Sequence, residues 1–218
     1  MSSAYSCILF DLDGTIVDSA PGITSTLAYT FERLGRPIPT PSELLAYVGP
    51  PLLDSFRDFA KLTPAESAEA LEIYREKYLD VGAYDATQYE GVGAVLKAVH
   101  ESSLPMSLAT SKPELPATLI LEHFNLARYF DVITGASADE VRSAKKDVVA
   151  EALIRLSAMG ADISRPVLVG DREHDVHGAA ANDVPTIMVE WGYGSVAEQV
   201  GAIDVVSTPE QLQTLLLG

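Results

Sequence analysis

"ILFDLDGTIVDS", residues 8–19, is the stretch whose reading decides the fold. An apolar run of strand character ends on two carboxylates, Asp11 and Asp13, with Gly14 and Thr15 directly behind them. Asp is a poor strand residue and is costly to bury unpaired, so a chain that ends its first buried segment on two of them has a use for the charge. Apolar runs of similar character recur at 106–110, 130–134, 166–170, 185–189 and 203–207. Helical patterns lie between or after them, over about 91–103, 113–124, 145–159, 174–182, 195–201 and 209–217. Regular alternation of this kind predicts an α/β core around a mostly parallel sheet.

The stretch from about 20 to 86 breaks the rhythm. It carries the helical patterns "GITSTLAYTFERLG" (22–35) and "AESAEALEIYREKYLDVG" (65–82), with no strand between them. Pro37, Pro39 and Pro41 punctuate its first loop, and Gly49, Pro50 and Pro51 mark a turn between two of its helices. It reads as a helical insertion over 17–86, in a core made of 1–16 and 87–218. A length of 218 residues and 47% apolar composition suit one packed domain carrying a lesser one. The formal charge of −16, from 31 acids against 15 bases, opposes nucleic acid and anionic membrane as partners, since both call for clustered Lys and Arg. No apolar run reaches the length of a membrane span or of a signal-peptide core, and the expected location is cytoplasmic. The single cysteine, Cys7, lies in a strand pattern and is expected to be a buried small hydrophobe.

Ligands of open parallel sheets bind at the carboxyl ends of the strands, so the residues just past each strand are the informative ones. The first strand is followed by Asp11, Asp13 and Thr15, the second by Thr110, Ser111 and Lys112, and the strand at 166–170 by Asp171 and Asp175. A single Asp or Thr in such a place is an ordinary turn or helix-capping residue. Three strands delivering acids and hydroxyls to one sheet edge is not. Clustered carboxylates raise one another's pKa unless a cation sits among them, and Mg²⁺ is the hard ion suited to several carboxylates, a backbone carbonyl and water. Asp11, Asp13 and Asp171, with Asp175 on the following helical turn, are the candidate metal ligands. His174 and His177 lie beside them, but hard oxygen donors favour Mg²⁺ over a transition metal.

Asp11-Leu12-Asp13-Gly14-Thr15, the hydroxyl after "SLAT", Lys145 in "SAKKDVV" and "VGDREHD" at 169–175 resemble, in order, the four motifs of the haloacid dehalogenase-like hydrolase superfamily. "VGPPL", "ATSKP" and "GDREHDV" are similar to its phosphoglycolate phosphatase and 5′-nucleotidase-like branch. The resemblance spans essentially the whole chain. It implies a Rossmann-like core with the insertion as an α-helical cap, and a Mg²⁺-dependent phosphatase acting on a small phosphorylated metabolite through an aspartyl-phosphate. It makes Asp11 the nucleophile and Asp13 the acid and base, and gives Thr110, or failing it Ser111, a phosphoryl oxygen to hold. Lys145, by its spacing before Asp147, would bind phosphate in preference to Lys146. Asp171 would ligate the metal, and Asp175 would either ligate it or hold Lys145. Lys112 is expected either at the substrate mouth or on the open surface. Where the family returns from cap to core through Tyr-Pro-Gly, this chain has Tyr89-Glu90-Gly91.

The same residues suit a phosphomutase, in which a bound bisphosphate takes the place of water. A phosphoacceptor signalling module also combines an acidic Mg²⁺ cluster with Thr and Lys on a parallel sheet, but it lacks an insertion of this length. A catalytically idle, partner-binding relative is disfavoured because every reactive position is filled. The motifs fix neither oligomeric state nor the identity of the metabolite.

Overall fold

The computed structural model describes residues 4–218. The chain divides into two compact units, one running up to Asp18 and resuming at Gln88–Gly218, the other Ser19–Thr87.

The first unit is an α/β, Rossmann-like sheet with helices. Its six strands are β1 (Cys7–Phe10), β4 (Met106–Pro113), β5 (Val132–Ala136), β6 (Pro166–Gly170), β7 (Thr186–Val189) and β8 (Asp204–Val206), in the spatial order β5-β4-β1-β6-β7-β8. Every pairing is parallel, with Phe10 opposite Leu108 on one side and Val169 on the other. Strand order therefore runs outward in both directions from β1. This reversal opens a crevice at the carboxyl ends of β1, β4 and β6, where a doubly wound sheet binds its ligand. The helices of this unit are α5 (Val92–Glu101), α6 (Glu114–His123), α7 (Lys145–Ala158), α8 (Glu173–Ala180) and α9 (Pro209–Leu217). Leu9, Ala109 and Leu168 from three central strands pack with Val148, Val149 and Ala152 of α7 and Ala179 of α8, all fully buried. Small residues at 152 and 179 let these helices lie close to the sheet, which places α7 and α8 with their first turns near the end of β1.

Three elements depart from the sequence reading. The segment at 195–201 forms only a short 3-10 turn, Val196–Gln199. β4 runs extended to Pro113, so that α6 starts at Glu114; a proline pushes the residue before it out of the helical region, and here that residue is Lys112. A small second sheet pairs the two-residue strands β2 (Val17–Asp18) and β3 (Thr87–Gln88), which carry too few side chains to show a period.

The second unit is helical: α1 (Ala20–Arg33), α2 (Pro41–Leu45), α3 (Leu52–Asp58) and α4 (Pro64–Asp80). Its interior is built on aromatic rings set edge to face, Phe31 against Tyr47 at 6.1 Å and against Phe56 at 6.3 Å between centroids. Thr40 and Thr63 open α2 and α4, each accepting from the amide three residues on while Glu43 or Glu66 reaches back to the threonine's own amide. Two of the orphan donors at each helix start are satisfied in this way.

Candidate active site

Asp11 and Asp13 follow β1 directly, at the centre of the sheet, and both are buried. The turn behind them is tight: Leu12 carbonyl accepts from the amides of Thr15, Ile16 and Val17, and Gly14 takes φ +81°. A Cβ on Gly14 would sit 2.2 Å from Asp171 Oδ2, so glycine here makes room for a carboxylate arriving from β6. Thr15 Oγ1 donates a long bond of 3.4 Å to Asp171 Oδ1, bracing the two loops against each other.

Lys145 is the first residue of α7, and its side chain crosses under the cluster. Its Nζ donates to Asp11 Oδ1 at 2.7 Å and to the Ala109 carbonyl at 3.0 Å. It also lies 2.7 Å from Asp175 Oδ1. Gly178 of α8 permits that path, since a Cβ there would lie 2.5 Å from Lys145 Cγ. Lys146, beside it, is exposed. Burial works against the Lys145 ammonium, and the Asp11 and Asp175 carboxylates overcome it, holding its pKa above the ordinary lysine value.

Asp175 has both oxygens engaged. Oδ2 accepts from the amides of Asp171 and Arg172, each at 3.0 Å, closing the start of α8, while Oδ1 faces Lys145. Asp171, fully buried, takes the amide of Tyr193 on Oδ2 at 2.7 Å. Asp11, Asp171 and Asp175 bring one oxygen each to within 4.8 Å of one another. Burial first, and then the neighbouring carboxylates, push the Asp171 pKa well above the usual range. Burial raises Asp11 to about 6 even with Lys145 beside it. A divalent cation would relieve these carboxylates, and the hard oxygen donors fit Mg²⁺. Asp13 stands outside this group: its Oδ2 lies 3.2 Å from Lys112 Nζ. The Asp13 carboxylate, expected among the metal ligands, is thus not part of the cluster that could hold an ion. His174 and His177 are exposed and do not join the cluster.

Thr110 is buried within β4, three residues before its end, its Oγ1 accepting from the Lys112 amide at 3.3 Å, whereas Ser111 is half-buried. Lys112 lies on the interior side of its two expected places, with a side chain only 5% exposed against Asp13. It lies in the stretch where the register of β4 against β5 shifts, between Ala109 and Pro113.

The segment after β7 was not singled out in the sequence, although it too leaves the carboxyl end of a strand. Trp191 Nε1 donates to the Thr15 carbonyl at 3.1 Å, and Tyr193 holds Asp171 by its amide and Asp18 Oδ1 by its hydroxyl at 2.7 Å. Burial and the nearby carboxylates raise the Tyr193 phenol pKa. Glu198 anchors this loop, accepting from Arg172 Nε at 2.7 Å and from the Ser195 amide at 3.1 Å. Glycines at 192 and 194, spaced around an aromatic, were the available signal.

Comparison with known proteins agrees with this geometry. The sequence profile of the haloacid dehalogenase-like hydrolases matches residues 8–189. A 5′-nucleotidase of Pseudomonas aeruginosa is 35% identical, covering 89% of this chain and 86% of that protein. The tyrosine-protein kinase PtkA of Mycobacterium tuberculosis is 40% identical over 86% of this chain, which spans 62% of the length of that relative. A predicted phosphatase from Clostridium acetobutylicum superimposes with a TM-score of 0.90 at 35% identity, over 98% of both chains. The chain belongs to the haloacid dehalogenase-like hydrolase family.

Proposed function

We propose that this protein is a Mg²⁺-dependent phosphomonoester phosphatase that works through an aspartyl-phosphate on a small phosphorylated metabolite. The observation that carries the reading is the buried Asp11, whose Oδ1 lies 2.7 Å from Lys145 Nζ and which brings one oxygen to within 4.8 Å of an oxygen each of Asp171 and Asp175. A carboxylate so placed is oriented and has a cation at hand, as an anionic nucleophile facing an anionic phosphoryl group requires. Asp11 and Asp171, with the main-chain carbonyl of Asp13, would hold the Mg²⁺, which supplies charge to screen the phosphoryl oxygens from the attacking carboxylate.

In the first step an Asp11 oxygen forms a bond to phosphorus, the ester P–O bond breaks, and Asp13 gives its proton to the leaving oxygen. In the second, water attacks the same phosphorus, Asp13 takes a proton from that water, and the bond to Asp11 breaks to release inorganic phosphate. Lys145 keeps Asp11 aligned and neutralises charge on the phosphoryl oxygens. Asp175, with Oδ1 2.7 Å from Lys145 Nζ and Oδ2 fixed by two amides at the start of α8, holds Lys145 in place. Thr110 donates its hydroxyl to a phosphoryl oxygen, with Ser111 the alternative donor. The helical unit, Ser19–Thr87, serves as the cap that selects the leaving group and excludes water.

Turnover of p-nitrophenyl phosphate, 2-phosphoglycolate and nucleoside monophosphates with Mg²⁺, and its loss in excess EDTA, is the expected result. Full activity in EDTA contradicts the metal's part. The 40% identity to a tyrosine-protein kinase favours a second reading, in which a tyrosine hydroxyl takes the place of water as the phosphoryl acceptor. Phosphotyrosine formation in place of released inorganic phosphate separates the two.

A further inference from the structure

Lys112 has no part in the reaction as written above, yet it is one of only two lysines among the buried charged residues described. Lysine is rarely buried without a function or a full set of partners, because desolvating an ammonium costs several kcal/mol. Its Nζ stands 3.2 Å from Asp13 Oδ2, with side chains 5% and 7% exposed. The two lysines divide the two acids of the first motif between them, Lys145 on Asp11 and Lys112 on Asp13. Lys145 therefore stands on the phosphoryl side of the bond to be broken and Lys112 on the leaving-group side, because Asp13 is the group that hydrogen-bonds the ester oxygen. One such bond of about 2.8 Å, added to the 3.2 Å observed, keeps Nζ within about 6 Å of that oxygen. An anionic group one carbon beyond the ester oxygen, if it lies on the Lys112 side, would pair with the ammonium and share it with Asp13. A neutral alcohol offers the lysine nothing, and a cationic one repels it.

We propose that Lys112 is a specificity-determining residue that favours phosphomonoesters whose leaving group carries a negative charge next to the ester oxygen. The inference rests on the phosphatase reading. It predicts a preference for an anionic leaving group such as glycolate over a neutral one such as a nucleoside.

The test is kcat/KM of the whole protein, wild type, Lys112→Met and Lys112→Arg, on three esters of similar size: 2-phosphoglycolate, 2-hydroxyethyl phosphate and phosphoethanolamine. Their leaving groups are anionic, neutral and cationic. The wild type is expected to favour them in that order. Lys112→Met is expected to lose about ten- to a hundredfold more on 2-phosphoglycolate than on 2-hydroxyethyl phosphate, the range for a hydrogen bond between charged groups. Lys112→Arg is expected to keep the order. Equal losses on all three esters would mean that Lys112 only positions Asp13, and would overturn the proposal, as would a wild type indifferent to leaving-group charge. p-Nitrophenyl phosphate, assayed alongside, separates the two failures. No turnover of any ester overturns the phosphatase reading and this inference with it, whereas turnover without charge preference overturns this inference alone.

Discussion

At the scale of single residues, the site is a set of buried carboxylates made tolerable by cations. Asp11 and Asp171 have raised pKa values, and for both the first cause is burial. For Asp11 the folded state binds a proton more tightly than the unfolded chain, so stability of the metal-free protein falls as pH rises. That penalty is absent below about 3.8 and complete above about 6. Asp171→Asn removes one of the repelling charges at constant shape. In EDTA at pH 7.5 this variant is expected to melt above the wild type, and in saturating Mg²⁺ below it, because it lacks a ligand. A variant less stable than wild type in both conditions would contradict the view of Asp171 as a charge kept for a metal. Asp11 and Asp171 were legible in the sequence because each directly follows an apolar run. Lys112 was legible only as two possibilities. Its depth depends on strand register and on Pro113, and a lysine two residues past a threonine reads equally well as a solvated turn.

At the scale of elements, what brings the acids together is the topology of the sheet. β1, β4 and β6 are adjacent and parallel, so Asp11, Lys112 and Asp171, far apart in the chain, are carried to one edge of the sheet. The alternation of strand and helix made this legible from residue 91 onward. The hold of the loop after β7 on Asp171 is made by a backbone amide, that of Tyr193, which leaves no side-chain signature; only its glycines and aromatics mark it in the sequence. β2 and β3 are too short for a period to appear. The helical unit is held by local features as well as by its aromatic core, the sharpest being the start of α4. There Glu66, in contact with Thr63 and Arg36, has its pKa pulled down to about 2. A depressed carboxylate contributes stability fully above its unfolded value near 4.5 and loses it as pH falls toward 2. Thr63→Ala is expected to cost about 0.5–2 kcal/mol in urea unfolding at pH 7. The loss should shrink at pH 2.5, which lies far below the unfolded Glu66 value, so that most of the stability tied to its ionised form is already gone. An equal loss at both values would show that the helix start does not depend on the charged box.

At the scale of the whole molecule, the chain is two units joined by two crossings, near Asp18 and Gln88. If the helical unit is a cap, replacing Ser19–Thr87 with a short glycine-serine bridge is expected to leave a folded core. That core would hydrolyse p-nitrophenyl phosphate slowly and without preference among metabolites. A deletion that does not fold would contradict the autonomy of the core. The central claim, however, is that the molecule turns over through Asp11, and rapid acid quench with ³²P-labelled ester and Mg²⁺ tests it most directly. The account predicts a label on the wild type that hydroxylamine removes, as an acyl phosphate requires, that maps to the peptide containing Asp11, and that is absent from Asp11→Asn together with turnover. An unlabelled enzyme under quench conditions that trap a control acyl phosphate, or a label and turnover that persist in Asp11→Asn, would contradict it.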